Sequence, residues 1–406
     1  MLELGTPLQH GAISSINRVF KSAMSEQLGD KHHNPMPEQA RLYQRWAEGQ
    51  VGICVSGNVM IDRSALGEPG NVVLDDHSDL DAFRQWTSAA DRQGSQLWIQ
   101  LNHPGKQIPA ALAKVPLAPS AIPLGRGLEK SFNTPRAMTE AEIRATINDF
   151  ANAAKLAKQV GFKGVQIHGA HGYLVSQFLS PRHNQRQDQW GGNAENRMRF
   201  VVEVYHAIRA AVGDDFPVGI KLNSADFMKD GFDESESMAV LTTLDNAGID
   251  LIEISGGTYE SPSMMGANQR QSTIDREAYF LEYAEQARKQ VRCTLVVTGG
   301  FRSSKAMNAA LQSGATDMIG LGRPLSLYPD LAKLAIADAG FIADVGNPTT
   351  GVKGVDRAAM LSITWYEAQL RRIGRGKLPK PNLSGWYAVF DTFGRLGKHA
   401  FVKRRG

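Results

Sequence analysis

The sequence predicts an α/β fold: a (β/α)8 barrel over residues 1–345, followed by a basic helical extension over 346–406. Two observations predict it. Short apolar runs alternate with helix-patterned stretches eight times along the chain, the pattern of βαβ units and a parallel sheet. Polar, chemistry-bearing residues recur at the C-terminal ends of those runs, where barrels of this kind carry their active sites.

The strands are read at 18–24 (RVFKSAM), 51–57 (VGICVSG), 96–101 (QLWIQL), 163–168 (KGVQIH), 217–222 (PVGIKL), 250–255 (DLIEIS), 293–298 (CTLVVT) and 317–321 (DMIGL). Helical patterns lie near 37–49, 78–93, 139–160, 194–212, 234–247, 275–290, 302–313 and 326–339. The third is the best defined. Thr139 and Glu142 form a capping box, and Ile143, Ile147, Phe150, Ala154 and Ala157 share one face. Gly161 stops it. The connections 102–135 and 256–274 are long, and loops of that length are commonly functional. Both follow barrel strands, so both belong to the C-terminal face.

Of the 406 residues, 42% are hydrophobic and 21% charged, which excludes a disordered or fibrous chain. No apolar run is long enough to span a bilayer, and the N-terminus, with neither a basic nor an apolar leader region, is not expected to be a signal peptide. The two cysteines, Cys54 and Cys293, are too few for a disulfide framework, a Cys-rich zinc site or an iron–sulfur cluster. A reducing cytoplasm is the expected location. The net charge of +4 is local: residues 371–406 hold ten Lys/Arg against one acid, leaving the body acidic. Nucleic acid is therefore not an expected partner.

The densest chemistry is His168-Gly169-Ala170-His171-Gly172-Tyr173, at the end of the fourth strand. Two imidazoles and a phenol within six residues offer two donors and a proton source at one mouth. Two other readings of the same residues are a polar turn with satisfied histidines and a zinc site completed by His103 or His183. Phosphate fingerprints of the G-x-G-x-x-G and Walker types are absent. A different cradle is offered by Gly299-Gly300 after the seventh strand and Gly322-Arg323 after the eighth, between which barrels commonly hold phosphate. Ser25, Gly57, Asn58, Gln100, Asn102, Lys221 and Asn223 stand at the other strand ends. Gln100, in an apolar strand, needs a partner if buried. Lys221 would stabilise negative charge on a neighbouring ring, or pair with a carboxylate.

These residues resemble the Old Yellow Enzyme family of FMN-dependent NAD(P)H:flavin oxidoreductases. The resemblance is carried by HGAHGYLVSQFLSPRHNQRQDQWGG (168–192), NRVFKSAMSE (17–26), IQLNHPGKQ (99–107), KLNSADF (221–227), VVTGGF (296–301) and GLGRP (320–324), in the family's order from about residue 5 to 340. It implies one non-covalent FMN in an eight-fold barrel and NADH or NADPH as electron donor. It places Ala23, Met24 and Ser25 along the flavin ring, with Gly57 and Gln100 on the isoalloxazine and Lys221 near N1 and O2. Gly299, Gly300, Gly322 and Arg323 would hold the phosphate. His168 and His171 would bind the oxygen of a small-molecule substrate with an activated alkene, and Tyr173 would donate the proton. The chain departs from common patterns at Ser25 (often Thr or Cys), Lys221 (often Arg), His171 (Asn in others) and Trp190 (often Tyr). The four-cysteine cluster of larger flavin/iron–sulfur relatives is missing.

The expected reaction is hydride transfer from flavin N5 to an α,β-unsaturated carbonyl compound. FMN-dependent oxidation of C–C or C–N bonds, and a vestigial flavin-binding interaction protein, are the alternatives. The tail interleaves Trp386, Tyr387, Val389, Phe390, Phe393, Leu396, Phe401 and Val402 with Arg395, Lys398, Lys403, Arg404 and Arg405. It reads as a helix packed on the barrel or on a second copy in a homo-oligomer, with contact to an anionic membrane surface as the alternative.

Overall fold

The computed structural model describes residues 2–125, 127–261 and 277–396. Eight parallel strands close a barrel: β1 (Val19–Lys21), β2 (Ile53–Met60), β3 (Gln96–Asn102), β4 (Val165–Gly169), β5 (Val218–Asn223), β6 (Leu251–Ser255), β7 (Thr294–Thr298) and β8 (Met318–Leu321). Each pairs with its chain neighbour, and β8 pairs with β1 through Ile319 opposite Val19, so no edge is left open. All eight fall where the alternation placed them. An antiparallel hairpin, Leu8–His10 with Ile13–Ser15, precedes β1. Leu8 and Ile13 pack in one cluster with Phe20, Trp98, Leu251, Val296 and Met318, closing the N-terminal end of the barrel.

Strand alternation positions the site. Side chains two apart on a strand share a face. One step beyond the apolar layer, the same inward faces carry Ser22, Gln100, Glu253, Thr298 and Gly320. The interior is thus apolar at the bottom and polar at the top. Gly164 makes room for the Trp98 indole: a Cβ there would lie 2.5 Å from the ring.

Helices α1 (Pro37–Glu48), α2 (Leu80–Ala90), α3 (Glu140–Gln159), α4 (Leu174–Leu179), α5 (Ala194–Val212), α6 (Glu234–Ala247), α7 (Leu281–Arg288) and α8 (Ser304–Gln312) follow along the chain. The capping box on α3 is present in both directions: Glu142 N–H donates to Thr139 Oγ1 at 3.3 Å, and Thr139 N–H donates to Glu142 Oε2 at 2.8 Å. The five residues assigned to its inner face are all buried. Two readings change. The helix read at 326–339 is two short ones, α9 (Arg323–Leu327) and α10 (Leu331–Ala337), separated at Tyr328, whose φ of −124° and ψ of 79° leave the helical region. The short helix α4, directly after Tyr173, lay hidden inside the 168–192 motif. Of the helix read at 275–290, residues 275 and 276 lie outside the described residues.

The extension forms α11 (Lys353–Ala358), α12 (Leu361–Gly374) and α13 (Gly385–Leu396). It shares the barrel's hydrophobic core through Leu361, Trp365, Leu370, Ile373 and Val389. Arg41 Nε of α1 donates to the Gly374 carbonyl at 2.7 Å. α13 turns Ala388 and Val389 inward and leaves Trp386, Tyr387, Phe390 and Phe393 exposed. Residues 397–406, with Lys398, Phe401, Val402, Lys403, Arg404 and Arg405, lie outside the described residues. No described helix is long and apolar enough to cross a membrane.

Candidate functional site

A cavity enclosing about 1400 Å³, open mouth included, occupies the C-terminal end of the barrel. Ala23, Met24, Ser25, Gln100, His168, His171, Tyr173, Lys221, Gly299, Gly300, Gly322 and Arg323 all stand on its wall. Of the strand-end residues read from the sequence, Asn58 lines it too, while Gly57, Asn102 and Asn223 do not. A Cβ on Gly57 would meet the Met24 carbonyl oxygen at 2.4 Å, so this glycine permits a close backbone approach behind the wall.

The histidine–tyrosine group is made by one sharp reversal. His171 and Gly172 both take the left-handed conformation, with φ of +62° and +78°. The chain after β4 folds back, and the Tyr173 ring comes to 4.8 Å from that of His168, with His171 at 5.1 Å on another side. His168 Nδ1 accepts from the Ala170 amide at 3.3 Å. The neutral ring therefore carries its proton on Nε2. His171 Nε2 shares a 3.0 Å hydrogen bond with Ser255 Oγ. Burial, then the positive charge of Lys221, hold both imidazoles well below the usual histidine range, so both are neutral. Burial, then the negative charge of Glu68, push the Tyr173 phenol above its usual value, so it stays protonated.

Beneath this group runs a buried chain of polar contacts. Lys221 Nζ pairs with Glu253 Oε1 at 3.0 Å, both side chains being almost wholly buried. The Lys221 ion pair read as an alternative from the sequence is real, and Lys221 stands on the cavity wall as well. Glu253 Oε1 also accepts from Thr298 Oγ1 at 2.8 Å, and Oε2 accepts from Gln166 Nε2 at 2.8 Å. Because the Gln166 amide nitrogen must face the carboxylate, its oxygen faces Gln100 and accepts from Nε2 at 2.7 Å. The Gln100 oxygen is then a fully buried acceptor with no protein partner. A buried orphan acceptor on a cavity wall calls for a donor from outside the chain. A heterocycle with a ring N–H supplies one, so the flavin pyrimidine fits here.

At the far end, Gly299 and Gly300 have φ of +125° and +95°, which only glycine adopts without strain. A Cβ on Gly322 would meet only Met24, whose Cγ and Sδ lie 3.8 Å away. The Arg323 guanidinium lies 6.0 Å from the Tyr366 ring centroid, and Arg302 on the same wall donates to the Val345 carbonyl at 3.2 Å. The two guanidiniums and the backbone of these glycine loops are the groups that could hold a phosphate arm.

Sequence reasoning missed several wall residues. Arg302 directly follows the quoted VVTGGF motif, and its charge was the available signal. Tyr259 lies in the 256–274 loop, whose described part ends at residue 261. Glu68 is on the wall as well, and its Oε2 and the Oε1 of Glu367, behind the wall, each lie 2.7 Å from Ser25 Oγ. Val345, Ser362, Ile363, Tyr366 and Leu370 come from the segment beyond β8 and have no counterpart in the quoted motifs. The histidines considered as a third zinc ligand are engaged elsewhere: His103 Nδ1 accepts from the Gly105 amide at 3.0 Å, and His183 Nδ1 lies 2.8 Å from Lys106 Nζ. Among the described residues, no group of three or more His, Cys, Asp or Glu side chains is arranged to hold a metal. Cys54 and Cys293 are both buried and unpaired, and burial pushes the Cys54 thiol up to about 12.

A closed parallel barrel whose C-terminal cavity is walled by two histidines, a tyrosine, a buried lysine and two glycine-bearing loops has the architecture of a barrel enzyme. Comparison with known proteins makes this specific. Residues 3–337 match the NADH:flavin oxidoreductase / NADH oxidase family, and the chain belongs to that family of FMN-binding, NAD(P)H-linked enzymes, the Old Yellow Enzyme group. It is 38% identical over 342 residues to the NADH-dependent flavin oxidoreductase iccE of Talaromyces variabilis, covering 79% of this chain and 83% of that protein. It is 36% identical to iliE of Neonectria sp. over 345 residues, 79% of this chain but only 45% of that longer protein. Among solved structures, the Old Yellow Enzyme homologue of Zymomonas mobilis superposes with a TM-score of 0.71 at 26% identity, over 84% of this chain and 95% of that one.

Proposed function

We propose that the protein reduces activated C=C bonds, such as those of α,β-unsaturated carbonyl compounds, with NADH or NADPH as reductant. The observation that carries this reading is the contact of His168, His171 and Tyr173 on one cavity wall, above a buried orphan acceptor and a buried lysine. FMN would lie with its pyrimidine edge at Gln100 and Lys221, its ring along Ala23, Met24 and Ser25, and its phosphate at Gly299, Gly300, Gly322 and Arg323. When bound, it supplies the hydride relay between nicotinamide and substrate.

The chain's own groups do the rest. Neutral His168, its proton on Nε2, donates to the substrate oxygen and withdraws electron density from the alkene, and His171 is the second donor. Tyr173, kept protonated by burial, delivers its proton to the α-carbon as negative charge develops there. Lys221 holds positive charge beside the ring.

Tyr173→Phe is the direct test. In anaerobic stopped-flow work with cyclohexenone, flavin reoxidation is expected to slow by about 10²-fold or more, the range for loss of a positioned acid. A nitroalkene, whose product carbon protonates readily in water, is expected to be spared. Unchanged enone turnover would remove Tyr173 as the acid. Gly300→Ala tests the cradle. A Cβ at φ +95° would lie 2.6 Å from the Glu277 carbonyl oxygen, so the loop must shift. Strain of about 1–3 kcal/mol is expected, together with a lowered flavin-to-protein absorbance ratio. A fully flavinated variant would take Gly300 out of the cradle.

A further inference from the structure

Tyr173 is 5% exposed, and its oxygen is 2.8 Å from that of Tyr259, a second phenol on the same cavity wall. Tyr259 is the more exposed of the two. Asn58 Nδ2 donates to the Tyr173 oxygen at a longer 3.4 Å. If the Tyr173 proton is to remain available to a substrate, the short bond must run from Tyr259 to Tyr173. Resting on the reading of Tyr173 as the acid, we propose that Tyr259 is a second member of the proton path: it orients Tyr173 and returns a proton to it after each delivery.

The need is physical. Once the Tyr173 O–H bond breaks and the α-carbon C–H bond forms, a phenolate is left in a site that water scarcely reaches. Breaking the Tyr259 O–H bond and re-forming that of Tyr173 moves the negative charge to the more exposed phenol. Water at the cavity mouth then replaces the proton. The two groups are phenols of the same intrinsic acidity, but burial and then the charge of Tyr173 hold Tyr259 well above its usual value, so the negative charge is passed on to solvent at the cavity mouth and not kept on Tyr259. The hydrogen bond from Tyr259 also stabilises the developing charge on Tyr173.

Tyr259 is held firmly for this task. The turn that carries it is closed by Thr258 N–H to the Ser261 carbonyl at 2.9 Å and by the reverse bond at 3.1 Å. The next residue, Glu260, is buried; it accepts from the Gly125 amide at 3.0 Å and lies 3.4 Å from His183 Nε2. The 102–135 connection thus clamps the turn from one side, and Phe132 meets the Tyr259 ring edge at 6.4 Å between centroids.

The test is Tyr259→Phe, which keeps the ring and removes the hydroxyl. Purified holoenzyme, checked for an unchanged bound-flavin spectrum, is compared on cyclohexenone and on a nitroalkene. The expected result is an enone-to-nitroalkene rate ratio lowered by about tenfold or more, and a larger solvent deuterium isotope effect on the enone. The Tyr173→Phe/Tyr259→Phe pair should be no slower than Tyr173→Phe alone, since both act on one proton. Equal loss on both substrates, or additive losses in the double variant, would overturn the relay and leave Tyr259 as packing. Should Tyr173→Phe itself keep full enone turnover, the assignment of the acid fails first, and the relay with it. Loss in Tyr173→Phe without loss in Tyr259→Phe overturns the relay alone.

Discussion

Replacing His168 with alanine is expected to slow hydride transfer to an enone by about 10²–10³-fold, the cost of removing one preorganised oxyanion donor. Flavin reduction by NADH should fall much less, because no oxyanion develops in that half. The expectation follows from the tautomer. Ala170 N–H occupies Nδ1, so the only ring proton is on Nε2. Burial and the nearby Lys221 charge keep the ring neutral, so the donor's strength should not change with pH near neutrality. The ring is also fixed, wedged between His171 and Tyr173 with edge contacts on both sides. A fixed donor costs no reorganisation when charge appears, which is why it acts on the barrier more than on binding. Stopped-flow traces of the two halves, recorded separately, check this. Equal slowing of both would show that the substitution has disturbed the flavin and not the substrate oxygen.

Much of this site was legible in the sequence, for identifiable reasons. The strand ends could be read because an inward apolar residue is followed two positions later by a polar one, as in Trp98 and Gln100. His168, His171 and Tyr173 could be read because their spacing is local and a glycine sits at the reversal. Gln100 could be read because an amide in an apolar strand must find a partner. Glu253 shared that last signal, a carboxylate inside LIEIS, yet the strand pattern absorbed it. The partners of Ser25 were not legible. Glu367 lies 342 positions away, and nothing in its own neighbourhood marks it as a partner of Ser25. Tyr366 and Ile363 reach the wall only because α12 packs against α1 and α9, a tertiary arrangement that no local motif announces. The extension read as a helix packed on the barrel or on a second copy, but nothing in its composition said that its residues would line the cavity.

The second large effect is on stability. Glu253→Ala is expected to destabilise the folded protein by about 3–5 kcal/mol, the usual cost of removing one member of a buried ion pair. Three partners lose their acceptor at once: the Lys221 ammonium, the Thr298 hydroxyl and the Gln166 amide. Lys221, 2% exposed, and Gln166, fully buried, cannot turn to water, whereas the half-buried Thr298 hydroxyl keeps Ser22 Oγ at 2.8 Å. A charge and an amide dipole left unpaired inside the barrel each carry a desolvation cost. The defect would also spread. Gln166 orients Gln100, so losing the carboxylate frees both amides to rotate, and the orphan acceptor at the cavity wall is no longer fixed. Denaturant unfolding of the flavin-free protein isolates the first effect, and flavin affinity after refolding reports the second. Glu253→Gln separates charge from hydrogen bonding, because it keeps an acceptor for Thr298 or Gln166 while leaving Lys221 without its counter-charge. If the Gln variant is as stable as the parent, the ammonium is neutralised by other means and the pair with Glu253 contributes little. If it falls as far as the Ala variant, the charge dominates, and the same buried carboxylate that pairs with Lys221 at the cavity wall also holds the upper half of the barrel together.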